Sequence, residues 1–280
     1  MGSNKNKETL FSTKNLKSEE RRMSKYIEVF KRTEIKYLLS SDQYRKLFSF
    51  LEGFARVDNY GLTRINNIYF DTPNYQMIRT SLDKPLYKEK LRLRTYGPTF
   101  DSTNSFIEIK KKYDGIVYKR RISGKYKAAY DYLVNNKKPL DDSQISREIA
   151  GVLNMYDSLR PAMRISYDRV AMVGINDPEF RVTFDTNITW NKDVLDLRED
   201  AGGVPILEEG QYMMEIKVAN AMPIGLARKL SKLRIFPTSF SKYGRGYQQM
   251  MKMRMAKETA RVVSRELIEI RNNKEVRAYA

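Results

Sequence analysis

Four short stretches of the chain place charges at every second position, with apolar or uncharged residues between them. They are Arg32-Thr33-Glu34-Ile35-Lys36, Arg92-Leu93-Arg94, Glu108-Ile109-Lys110-Lys111-Lys112 and Met213-Met214-Glu215-Ile216-Lys217. In a β-strand successive side chains point to opposite faces, so each stretch sends its charges one way and its Ile, Leu or Met residues the other. Such strands side by side make one charged sheet face. That face either meets bulk water or turns inward, where it would line a basic tunnel suited to a polyanion.

The pattern predicts about eight strands of antiparallel type. They cover residues 27–39, 64–70, 91–96, 105–112, 116–122, 163–173, 180–190 and 211–218, with Asp114-Gly115 as the hairpin turn between the fourth and fifth. Helical spacing predicts helices from Ser40 or Ser41 to Gly53, over 125–134 and 143–153, and after Pro223 on Leu226, Leu230 and Leu233. A long helix is expected from about residue 247. Residues 1–25 are polar and without period and read as a flexible leader; residues 26–280 read as one domain. The fold class expected is α+β: a closed antiparallel eight-stranded barrel, apolar side out against helices and charged side inward, with a long C-terminal helix.

Composition narrows the chemistry. With 52 Lys and Arg against 34 Asp and Glu, the net charge is +18 and the pI about 9.8, which favours anionic partners. The chain has no cysteine and no histidine, which excludes thiolate catalysis, disulfides and zinc–thiolate sites and removes the commonest general base. Catalysis must then rest on carboxylates, Lys, Arg, Tyr or a hard cation such as Mg²⁺ or Mn²⁺ on oxygen ligands. No apolar run approaches the roughly 20 residues of a spanning helix, and no signal-peptide core is visible, so the expected location is the cytoplasm.

Arg32-x-Glu34-x-Lys36-Tyr37, Arg92-Leu93-Arg94-x-Tyr96-Gly97, Glu108-x-Lys110, Arg160-Pro161 with Arg164-x-x-Tyr167-x-Arg169, Arg181-Val182-Thr183-x-Asp185, Glu215-x-Lys217 and Ser241-Lys242-Tyr243-x-x-Gly246 stand in this order. The set resembles the catalytic domain of vacuolar transporter chaperone (VTC) proteins, the polyphosphate polymerases of the triphosphate tunnel metalloenzyme (CYTH-like) superfamily, over residues 27–247. The resemblance implies transfer of the γ-phosphoryl of ATP onto a growing polyphosphate chain inside a basic tunnel, with Mn²⁺ or Mg²⁺ assisting. By motif it implies that Lys36, Arg92, Arg94, Lys110, Arg164 and Lys242 grip phosphates and that Glu215 holds the metal. It also implies a separate membrane-spanning partner at the inner face of a membrane, since this chain shows no span of its own. Hydrolytic and cyclase members of the wider superfamily resemble Glu-x-Glu-x-Lys on the first strand, where this chain has Arg32; a lost carboxylate there favours the VTC-like branch over two-metal hydrolysis.

Alternation adds secondary candidates. Lys112 shares a face with Lys110 and Glu108, leaving Lys111 outward; Lys119 and Arg121, or Arg120 if the register slips, extend the basic wall, and Lys217 accompanies Glu215. Glu34 and Glu108, in the same acid-x-base spacing as Glu215, are further metal-ligand candidates. Arg169 binds phosphate or braces Glu108, two readings that stay open, and Asp185 and Thr183 are candidates for contact with the metal through water. Tyr37, Tyr96 and Tyr167 read as barrel packing, and the run Met250, Met251, Met253, Met255 as a helix core. Hydrolysis of triphosphates and non-catalytic binding of a polyanion are the competing functions. No groove-reading motif or aromatic platform points to specific nucleic-acid binding.

Overall fold

The computed structural model describes residues 33–156, 158–219 and 221–278, with side chains described as far as residue 265. The expected leader, Arg32 and the first residues of the predicted first strand lie outside the described residues. In chain order the elements are β1 (Thr33–Ser40), α1 (Ser41–Leu51), β2 (Ala55–Val57), β3 (Thr63–Asp71), α2 (Gln76–Leu82), β4 (Tyr87–Tyr96), β5 (Asn104–Tyr113) and β6 (Ile116–Lys125). Then come α3 (Tyr126–Val134), α4 (Gln144–Met155), β7 (Arg160–Gly174), β8 (Arg181–Asn191), β9 (Val204–Pro205), β10 (Gln211–Val218), α5 (Ile224–Lys232) and α6 (Lys242–Ala278). Ser40 starts α1 with a capping box: its hydroxyl accepts from the Gln43 amide, and its own N–H donates back to the Gln43 side chain at 2.9 Å.

The sheet runs β1-β10-β8-β7-β3-β4-β5-β6, antiparallel throughout, with β2 added to β7 and β9 to β8. The expected closed barrel is not formed, because the two ends of this path, β1 and β6, do not pair. The free edge of β1 is taken instead by the segment before α6, through a Tyr37–Pro237 bridge and the Thr238 N–H donating to the Lys36 carbonyl at 2.7 Å. The sheet is nevertheless strongly curled. Lys110 on β5 lies close enough to Glu34 on β1 to lower its pKa, although a flat sheet would hold those strands about 29 Å apart.

The apolar side of the curl is convex and covered by helices. On β1, β8 and β10 it gives Tyr37, Leu39, Val182, Phe184, Met214 and Ile216, packed on Leu47 and Leu51 of α1 and Leu226 and Leu230 of α5. On β3 to β6 it gives Ile68, Leu91, Leu93, Ile107, Ile109 and Ile122, packed on α3 and α4. Each such side chain contributes about 1.5–3 kcal/mol on burial. A third cluster fills part of the concave side: Met163, Ile165 and Trp190 receive Tyr243 and Met250 of α6. Gly246 permits the close approach, since a Cβ there would sit 2.8 Å from Met163 Sδ and 3.1 Å from Trp190 Cβ. Helix α6 thus begins at Lys242, earlier than the expected residue 247, and its first turns are seated inside the curl. No helix among the described residues is long and apolar enough to cross a membrane.

Candidate functional site

Strand pairing sets charged side chains in rungs across the concave face. Arg92 stands opposite Glu108, which stands opposite Arg121; Lys90 stands opposite Lys110, which stands opposite Lys119; Arg94 stands opposite Phe106. Glu108, 2% exposed, ties the first two rungs together: its carboxylate takes Arg92 Nε at 2.6 Å, Lys119 Nζ at 2.9 Å and Arg94 Nε at 3.6 Å. Burial alone would raise the pKa of Glu108, but Arg92, then Arg94 and Lys119, hold it down to about 2. Arg94, 6% exposed, also donates to Asn67 Oδ1 at 2.8 Å and to the Tyr167 hydroxyl at 3.4 Å, so its fork is fixed before any ligand arrives.

Across the concavity β1 and β10 form a checkerboard. Lys36 is opposite Glu215 and Glu34 opposite Lys217, so each carboxylate has an ammonium beside it and the two carboxylates lie on a diagonal. Lys217 reaches Glu215 at 2.8 Å and Glu34 at 3.9 Å; Lys36 pairs with Glu34 and lies 3.8 Å from Glu215. Burial opposes ionisation of Glu34, yet Lys110 and Lys36 bring its pKa down to about 2. Glu215 is likewise lowered: burial and the repulsion of Glu34 oppose its ionisation, but the charge and hydrogen bond of Lys217 together with the charge of Lys36 prevail. Lys36 is raised, its burial outweighed by Glu34 and Glu215.

Between the two walls, Arg169 on β7 grips Asp185 on β8 through both fork nitrogens, at 2.6 and 2.8 Å, and Lys242 at the start of α6 pairs with the same carboxylate. Arg169 therefore braces Asp185 and not Glu108. The Tyr167 ring lies under both cations, 5.2 Å from Arg169 Cζ and 4.6 Å from Lys242 Nζ. Tyr69 on β3 stacks on Tyr243 and its hydroxyl accepts from Arg92 at 3.2 Å. Burial would raise the Tyr69 phenol, but Arg92, Lys90 and Arg94 bring it down to about 8.

The concave face thus brings together Lys36, Arg92, Arg94, Lys110, Lys112, Lys119, Arg121, Arg169, Lys217 and Lys242, with Glu34, Glu108 and Glu215. It does not include Arg164. That side chain is opposite Ile68 of the convex core and donates to the carbonyls of Asp196 and Glu199 at 3.2 and 2.8 Å, holding the loop that covers it. Lys111 and Arg120 are also on the convex side, within 3.9 Å of Glu89 and 3.8 Å of Glu148. Tyr37 and Tyr167 are packed as expected, whereas Tyr96 is half-exposed beside Arg94; of the methionine run only Met250 is buried. Three residues escape the sequence reading: Lys88, Lys90 and Tyr69. Lys88 and Lys90 continue the every-second-residue alternation of Arg92 and Arg94 toward the start of β4, and that alternation is the signal that could have found them.

Among the described residues no group of three or more Asp, Glu, His or Cys could hold a metal ion. Glu108 is already committed to three cations. Glu34 and Glu215, both ionised and adjacent, fit a Mg²⁺- or Mn²⁺-type ion that takes one or two protein carboxylates and fills its remaining positions with water and substrate phosphate oxygens.

The fold and this face define an α+β protein with a curled antiparallel sheet whose concave side concentrates Lys and Arg around few carboxylates. The family model for the VTC domain matches residues 31–251, and the chain belongs to that family. No curated protein matches by sequence. Among solved structures, a candidate adenylate cyclase from Bacillus halodurans is similar at 14% identity and a TM-score of 0.46, covering 74% of this chain and 92% of its own. A Hippeastrum protein described with a dominant triphosphatase activity is similar at 14% identity and a TM-score of 0.45, covering 77% and 95%. The Mimivirus capping enzyme triphosphatase is similar at 9% identity and a TM-score of 0.30, covering 72% and 88%.

Proposed function

We propose that this protein is a polyphosphate polymerase that moves the γ-phosphoryl group of ATP onto a growing polyphosphate chain, assisted by Mn²⁺ or Mg²⁺. The observation that carries the reading is the convergence of Lys36, Arg92, Arg94, Lys110 and Lys242 on one concave face, in a chain of the VTC domain family. Phosphoryl transfer asks a protein mainly for in-line positioning and for neutralisation of charge on the equatorial oxygens. Arg92 and Arg94 supply forks whose planes are already fixed by Glu108 and Asn67, so little is lost in ordering them on a phosphate. Lys36, Lys110 and Lys242 add point charges from three other elements. Lys119, Arg121, Arg169 and Lys217 surround that set and enlarge the positive field. Glu215 and Glu34 would hold the metal, which when bound adds charge neutralisation on the transferred phosphoryl oxygens. Neither His nor Cys is needed for any of this. A separate membrane-spanning subunit is the partner we propose for drawing the product away.

The test is incubation of the purified protein with ATP and Mn²⁺, with products resolved on a gel and free phosphate measured in parallel. Long phosphate chains and ADP are expected. Orthophosphate without chains would replace the reading with hydrolysis, and tight polyphosphate binding without turnover in the presence of a membrane fraction would replace it with a binding module.

A further inference from the structure

The charge pattern at the start of β4 departs from that of a solvated strand face. Lys88 stands directly opposite Lys112, Lys90 opposite Lys110, and Lys110 again opposite Lys119 on β6. Like charges directly opposite on neighbouring strands destabilise a sheet, and solvated faces usually alternate sign instead. The next rung shows the contrast, since Glu108 there separates Arg92 from Arg121. Among the described residues no carboxylate comes into ion-pair contact with Lys88, Lys90, Lys110 or Lys112, and Glu34 acts on Lys110 only across the gap between sheet ends.

Two of these lysines are held in place by neutral partners. Lys88 Nζ donates to the Ser81 carbonyl at 3.2 Å and Lys90 Nζ to Ser241 Oγ at 3.1 Å. Such bonds aim an ammonium without cancelling its charge. Burial depresses Lys90 first, and Lys110, Lys88 and Arg92 depress it further against the pull of Tyr69, to about 8. This end of the β4–β5 pair therefore holds four lysines with no carboxylate in ion-pair contact among the described residues, and only Lys110 is offset, by Glu34 from across the gap.

We infer that Lys88, Lys90 and Lys112, sharing Lys110 with the grip, form an anion subsite that continues from Arg92 and Arg94 and takes the phosphate units of an inorganic chain beyond the third. The inference rests on the proposed function for its ligand and adds to it a reason to prefer long chains. Successive rungs lie two residues apart, so the track from Arg94 to Lys88 is about 20 Å long. A long chain can lie along all of it, whereas a triphosphate held at Arg92 and Arg94 covers only part.

The experiment is calorimetric binding of tripolyphosphate and of long-chain polyphosphate, without metal, to the wild type, to Lys88→Gln/Lys112→Gln and to Lys88→Arg/Lys112→Arg, with thermal melting of each. Removing two charge-assisted hydrogen bonds to the ligand should lower the long-chain affinity of the Gln pair at least about tenfold and leave tripolyphosphate within about twofold. The Arg pair should keep the wild-type preference. The Gln pair should melt close to the wild type without ligand, because relief of the Lys88–Lys112 repulsion offsets the lost Lys88–Ser81 bond, and should gain less from the long chain. Equal losses for both ligands would make these lysines part of a general field and overturn the subsite. So would unchanged long-chain affinity in a folded Gln pair. Wild-type protein that binds tripolyphosphate with no preference for long chains overturns the subsite alone; binding of neither ligand overturns the proposed function with it.

Discussion

Glu108→Gln tests the electrostatic core of the concave face. The carboxylate is 2% exposed and its pKa falls from an ordinary 4.5 to about 2, which corresponds to about 3 kcal/mol of stabilising interaction with Arg92, Arg94 and Lys119. Because the folded value is the lower one, that stability is fully present above the unfolded pKa near 4.5 and is lost as the pH falls from there to about 2. At pH 7 the amide should therefore cost the whole amount, in line with the about 3–5 kcal/mol of breaking a buried ion pair from one side. For a domain of this size that is a drop in Tm of about 6–12 °C. The same change frees three cations for a ligand, so tripolyphosphate should raise the Tm of the variant more than that of the wild type. Thermal melts at pH 7, with and without tripolyphosphate, and a second set near pH 2, where the two proteins should converge, make the assay. A variant that melts within about 2 °C of the wild type at pH 7, or that gains less from the ligand, would refute the reasoning.

Glu215→Gln should lower metal-dependent ATP turnover at least about tenfold while metal-free tripolyphosphate binding persists or tightens, checked by turnover across a Mn²⁺ titration and by calorimetry; wild-type turnover at every metal concentration would remove Glu215 from the site. Arg164→Ala should destabilise the protein by about 2 kcal/mol through the freed carbonyls of Asp196 and Glu199 and leave tripolyphosphate affinity within about twofold. A large loss of affinity in a folded Arg164 variant would return that residue to the grip. Gly246→Ala should cost about 1–3 kcal/mol in urea denaturation, because the new methyl meets Met163 and Trp190 and lifts α6 from its seat.

A period of two is enough to place most strands and to sort Lys110 and Lys112 from Lys111, because alternation is a property of each strand by itself. It also holds the clue that Arg164 and Arg169 do not share a face, an odd number of residues apart on one strand. The family resemblance brings both into one set, and the parity argues against it: Arg169 meets Asp185 within the curl while Arg164 meets backbone carbonyls outside it. Lys88 and Lys90 are missed when the strand is started at Leu91, where the apolar residues begin, although the charges run on with the same period. Closure is not legible at all. Whether β1 pairs with β6 depends on the course of the chain near Pro237, more than a hundred residues from either strand, and no local pattern encodes that competition.

The pairing of β1 with β10 also has a bearing on how the chain is made. Thr33 lies against Val218, so the first strand of the sheet has no hydrogen-bonding partner until nearly two hundred further residues have left the ribosome. The meander from β3 to β6 is built from neighbours in sequence and can assemble early with α3 beneath it. Contacts so distant along the chain carry a large loop-closure entropy and slow folding. Until β10 arrives, β1 keeps Tyr37 and Leu39 without their sheet partners Met214 and Tyr212, and its synthesis is complete long before its structure can be.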